Sequence, residues 1–152
     1  MLLPPVETVP FTVEILEDPT DWQLLKLENG FKREIGEETL TKLQQKQLQQ
    51  AVQKGRITFF IAKRGYRSVG MCSVSSYFST FSCSNTGVYE DFYIEPAFRG
   101  KGVARKLAEA AQKYCREHSI INLMVCCAPC DETMYQALGF DTGVGMTFAH
   151  ME

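Results

Sequence analysis

Three groups of residues in the second half of the chain could do chemistry. The first is Arg99-Gly100-Lys101-Gly102-Val103-Ala104-Arg105, two glycines interleaved with basic side chains. Glycine lets a backbone N–H approach an anion closely, and the exposed N–H groups that open a helix carry a partial positive charge. The second is the acidic pair Glu90 and Asp91, which could take a proton from a reacting group or hold a cation. The third is Tyr135, whose phenol, ordinarily near ~10, could deliver a proton to a leaving group. Each has a plainer reading: a tight turn, solvated carboxylates and a packed aromatic.

The elements needed to position these residues can be read from the same sequence. Phe11 to Glu17 alternates as a strand. A helix carrying Trp22, Leu24, Leu25 and Leu27 is expected to stop at Asn29-Gly30, and a longer one covers Glu37 to Lys54. Arg56 to Lys63 and Ser68 to Phe78 form a hairpin about Gly65, "STFSCSNTG" is a loop, and Val88 to Glu95 is the next strand. Gly102 to Glu117 is a helix with Val103, Leu107, Ala110, Ala111 and Tyr114 on one side. A buried strand from Ile120 to Cys126, a short helix from Asp131 to Leu138, and a final strand or strand pair within Thr142 to Met151 complete the chain. The order β-α-α-β-β-β-α-β-α-β predicts an α/β mixed sheet with helices on its faces. The strands before and after the Gly102 helix should lie parallel.

Composition restricts the function classes. The chain has 152 residues, 45% hydrophobic and 22% charged, with no repeat or linker, so one domain over 1–152 is expected. A net charge of −2 argues against a general nucleic-acid binder and makes any anion site local. The opening "MLLPPVETVPF" has no basic segment and is broken by prolines, so it does not read as an export signal. No apolar run is long enough for a membrane span. A soluble cytoplasmic protein follows as the expectation, with Cys72, Cys83, Cys115, Cys126, Cys127 and Cys130 as free thiols. Cys127-x-x-Cys130 comes too late for a thioredoxin-like domain and has no second pair for zinc, so no metal is expected.

"EDFYIEPAFRGKGVA", Glu90 to Ala104, resembles motif A of the GNAT superfamily of acyl-coenzyme A-dependent N-acyltransferases. "MYQALGF", Met134 to Phe140, is similar to a second motif of that family, at the expected distance. The resemblance implies that the Arg99–Arg105 turn cradles the pyrophosphate of coenzyme A and that the pantetheine arm runs along Phe92-Tyr93-Ile94. It further implies that the Phe92 N–H stabilises the developing oxyanion and that Tyr135 protonates the leaving thiolate. Acetyl-coenzyme A would be the co-substrate and a small primary amine the acceptor, met near "ENGFKREIG" and near Tyr77 and Phe78. The partner is then this small molecule, with neither nucleic acid nor membrane involved and a homodimer left open.

Two-residue periodicity puts Glu90 on the face of Phe92, pointing to Glu90 as base or counter-charge, with Asp91 as the alternative. A strand bulge would change that register. His118 and His150 read as surface residues. The family often has an Asn seven residues before the Tyr, and Ala128 stands there, so either the backbone supplies that pantetheine contact or cofactor affinity is lower. The competing class is a non-catalytic module that senses coenzyme A or its acyl form.

Overall fold

A computed structural model describes residues 9–152. The N-terminal stretch used against an export signal lies outside them for residues 1–8. Five strands form one sheet in the order β1-β2-β3-β4-β5: β1 Phe11–Ile15, β2 Thr58–Arg64, β3 Arg67–Ser79, β4 Ser84–Ile94 and β5 Ile120–Val125. All neighbours are antiparallel except β4 and β5, which are parallel. Helix α3, Val103–Glu117, joins those two strands.

Both faces of the sheet are covered, which is why Phe59, Phe60, Ile61 and Ala62 of β2 are all buried in succession. On one face, Phe60, Ala62, Cys72, Val74, Tyr89 and Ile94 meet Val103, Leu107, Ala111 and Cys115 of α3. Those helical residues recur every four positions and so form one stripe. On the other face, Phe59, Ile61, Met71 and Tyr93 meet Leu24 and Leu27 of α1, Trp22–Glu34. Leu48 and Val52 of α2, Lys42–Gln53, pack at the margin.

Four sequence expectations are corrected. Helix α1 runs through Asn29-Gly30 to Glu34. Gly30 serves close packing: a Cβ there would lie 2.8 Å from the Tyr93 hydroxyl. Helix α2 starts at Lys42, where Thr41 and Gln44 form a reciprocal capping box. Most of "STFSCSNTG" is ladder, with Ser79 paired to Ser84, because backbone pairing extends beyond the sheet's covered part where no alternation marks it. Finally, Thr142 to Met151 forms no strand. Its Val144, Met146 and Phe148 alternate but stay exposed, and Gly143 and Gly145 weaken strand formation, so among the described residues the sheet ends at β5. A short helix α4, Glu132–Ala137, precedes that segment.

Candidate active site

The glycine turn behaves as its composition suggests. Gly100 and Gly102 have φ of 71° and 84°, in the left-handed region that favours glycine. Gly102 is the N-cap of α3, and no side chain caps that helix. A Cβ at either glycine would meet nothing within 4 Å. The opening N–H groups of a four-turn helix thus face unobstructed space, a fitting seat for a phosphate.

The two arginines are committed elsewhere. Arg99 donates from Nε to the Ile94 carbonyl at 2.8 Å, pairs with Glu34 and lies 5.7 Å from the centre of the Tyr93 ring. Arg105 donates to the Ala137 carbonyl at 3.2 Å, tying α3 to α4. These side chains brace the walls, so anion binding would fall to the backbone and to exposed Lys101. Val103 is core, 1% exposed, and could contribute only its N–H.

A cleft of about 560 Å³ starts at this turn. Its walls include Phe92, Tyr93, Ile94, Arg99, Gly100 and Ala104 on one side, Met134 and Tyr135 on another, and Phe31, Glu34 and Ile35 from α1. Strand β4, the start of α3, α4 and the end of α1 therefore converge on one cavity. Tyr135 stands edge-on to Phe92 and to Phe140, each at 6.0 Å between ring centres. Burial first, then the charge of Asp131 and the Cys127 thiol, pushes its phenol up to about 12. It therefore stays protonated at neutral pH and can act as a donor.

The register of β4 breaks inside the motif. Ser73 faces Glu90 and Met71 faces Tyr93, so the single residue Cys72 spans both Asp91 and Phe92. This is a β-bulge, and Asp91 takes a φ of 50°. Directly opposed residues point to the same side, which places Glu90 with Ser73, Met71 and Tyr93 on the α1 face. Phe92 instead joins Tyr89 on the α3 face, 6.0 Å between ring centres. The expected shared face of Glu90 and Phe92 is thus corrected. Glu90 remains exposed, and partial desolvation plus the charge of Asp91 raise its carboxyl above the usual range.

Glu28, which opens the expected acceptor segment "ENGFKREIG", was given no role of its own. Glu28 of α1 is 4% exposed, and burial, then the Asp91 carboxylate, pushes it up to about 8. Asp91 is also raised, chiefly by burial, and its carboxyl stands beside that of Glu28. The available sequence signal was its place in the row Leu24, Leu27, Glu28, Phe31, a carboxylate inside an apolar helical stripe.

Cys126, Cys127 and Cys130 are exposed free thiols between β5 and α4. Among the described residues no group of three or more His, Cys, Asp or Glu side chains is arranged to hold a metal. Replacing Cys127 and Cys130 together by Ser should leave any turnover largely intact. A steady-state assay of the folded double variant checks this, and complete loss would give the pair a role in the reaction. His118, the C-cap of α3, stacks on Tyr114 at 3.9 Å, away from the cleft.

Comparison with known proteins agrees with this architecture. Many solved structures share the fold. An acetyltransferase from Trypanosoma brucei superposes with a TM-score of 0.73 at 16% identity, covering 93% of this chain and 100% of its own. An aminoglycoside acetyltransferase from an uncultured soil metagenomic sample, in complex with sisomicin, gives 0.75 at 16% identity and 97% coverage of both chains. An acetyltransferase from Clostridium acetobutylicum, with acetyl-CoA, gives 0.76 at 14% identity, covering 93% of this chain and 96% of its own. A search of curated proteins finds no match in sequence. The model of the acetyltransferase (GNAT) family matches residues 21–140. That span is most of the chain and includes the glycine turn, the bulged strand and Tyr135: the protein belongs to the GNAT acetyltransferase family.

Proposed function

We propose that the protein transfers an acetyl group from acetyl-coenzyme A to a primary amine on a small, cationic acceptor. The observation that carries this reading is the single cleft joining the glycine turn, the bulged strand at Phe92 and the Tyr135 side chain. The backbone from Arg99 to Arg105 would hold the pyrophosphate. Phe92-Tyr93-Ile94 would line the pantetheine arm, and acetyl-coenzyme A would supply the activated acyl carbon. The Phe92 N–H, beside the bulge, would donate to the carbonyl oxygen as charge develops. Tyr135 would donate to the thiolate sulfur as it departs.

The acceptor would enter from the α1 side, where Glu90 and Asp91 supply negative charge. The similarity to an aminoglycoside acetyltransferase supports an amino-bearing acceptor without naming it. The proposed setting is the cytoplasm. Among the described residues no helix is long and apolar enough to cross a membrane.

Glu90→Gln keeps the side chain's shape and removes its charge. Because Glu90 is exposed on the acceptor side, KM for cationic amines should rise by roughly three- to tenfold, the effect expected of an exposed charge pair worth about 1 kcal/mol. KM for neutral amines should stay unchanged. Steady-state kinetics with one amine of each kind checks this. Equal KM values for parent and variant with both amines would remove Glu90 from acceptor recognition.

A further inference from the structure

We propose that Glu28 and Asp91 work as one proton-sharing carboxylate pair, with Asp91 receiving the acceptor's proton and Glu28 positioning it from behind. This rests on the amine-acetyltransferase reading above and adds the base that the reading lacks.

Glu28 is buried against β4, and its Oε1 has no donor partner among the described residues. Yet the Asp91 carboxylate stands beside the Glu28 carboxyl group and acts on it as a near charge. Two ionised carboxylates offer only acceptors, so both would be left unsatisfied in a poorly solvated place. One proton between them resolves this: Glu28 donates to Asp91, and the pair carries a single negative charge. The Ser73 hydroxyl donates to the Glu90 carbonyl at 3.2 Å and stands beside Asp91, whose carboxyl it lowers. Lys32, one turn along α1, lowers both carboxyls, and Asp91 in turn raises Glu90, next on β4, as a like charge.

Position gives the pair its use. Glu28, Phe31 and Ile35 follow at helical spacing along α1, and Phe31 and Ile35 line the cleft. Asp91 directly precedes Phe92, another cleft residue and the one whose N–H the reaction would use. The bulge turns Asp91 toward α1, opposite Phe92, so the carboxylate comes from the acceptor side. Asp91 is partly exposed while Glu28 is not, so only Asp91 can meet an entering ammonium.

The proton count closes. An alkylammonium loses two protons as its nitrogen becomes an amide. One ends on the sulfur of coenzyme A, through Tyr135. The other passes to the carboxylate pair and then to water. The C–N bond forms and the C–S bond breaks, with the sulfur taking the bonding electrons. A shared-proton pair that loses its last proton slightly above neutrality is a stronger base than an isolated carboxylate near ~4. The fully ionised pair is the active base, so kcat/KM should rise with pH and level off once Glu28 has lost its proton.

Infrared difference spectroscopy of the free protein reads the shared proton without any turnover. A carboxylic-acid C=O band should be present at neutral pH, shift on labelling with 13C-glutamate, and vanish as pH is raised past about 8. It should survive in Glu90→Gln and disappear in Glu28→Gln. No such band in the parent protein, or a band lost in Glu90→Gln, overturns the pair. The pH profile of kcat/KM for a cationic amine then tests its role. In Glu28→Gln the amide donates to Asp91 permanently, so the acidic limb should move to lower pH by about one unit or more and the plateau should fall. Asp91→Asn should lower kcat/KM at least about tenfold and remove that limb. An amine-acetylating Glu28→Gln protein with an unmoved limb refutes this role alone. A parent protein that shows the band but acetylates no amine refutes the proposed function, and the role with it.

Discussion

Tyr135→Phe lowers kcat by about ten- to a thousandfold while leaving the fold and acetyl-coenzyme A binding in place. The ring is held edge-on between Phe92 and Phe140, and the Phe140 N–H donates to the Tyr135 carbonyl at 3.0 Å. All of that survives in phenylalanine. No described residue hydrogen-bonds the hydroxyl, so its removal leaves no orphaned protein group. What disappears is a donor that burial keeps protonated, beside the space where the thiolate would leave. The loss should appear in kcat with little change in KM for acetyl-coenzyme A. Single-turnover kinetics, with chemistry shown to be rate-limiting, checks it. An unchanged rate would return Tyr135 to a packing role between two phenylalanines.

Gly102→Glu weakens acetyl-coenzyme A binding at least about tenfold, or roughly 1.4 kcal/mol. Two effects combine. The φ of 84° at the N-cap of α3 strains any L side chain, and the new side chain projects into space where a Cβ now meets nothing within 4 Å. That space lies before uncapped N–H groups, so an added carboxylate would compete for them with a phosphate. Gly102→Ala separates the effects, since it brings the strain without the charge or the reach. Isothermal calorimetry should show a smaller loss for Ala than for Glu. Equal affinity for the parent and the Glu variant would move the pyrophosphate away from this turn.

The strand–turn–helix was legible because its chemistry is local. Gly100, Gly102 and the stripe from Val103 through Leu107 to Ala111 declare both the turn and the buried face of α3 without reference to anything distant. What could not be read depended on contacts across the fold. Gly30 looks like a helix stop until the Tyr93 ring is seen against it. The Asp91 bulge is set by pairing with β3, where Cys72 spans two residues, and periodicity within one strand cannot show it. That single shift moved Glu90 to the far face from Phe92. Glu28 lies in the apolar row Leu24, Leu27, Phe31, but its burial beside Asp91 depends on β4 packing against α1. Thr142 to Met151 reads as a final strand or strand pair, but a segment becomes a strand only when another strand pairs with it.

The most direct test of the whole account is amine-dependent release of coenzyme A. The purified protein is mixed with acetyl-coenzyme A and a panel of small cationic amines, free thiol is followed continuously, and products are weighed by mass spectrometry. At least one amine should accelerate thiol release and gain one acetyl group on nitrogen, at a rate that falls sharply in Tyr135→Phe. A protein that binds acetyl-coenzyme A in calorimetry, yet releases no thiol with any amine of the panel, would contradict it and leave a coenzyme A-sensing module in its place.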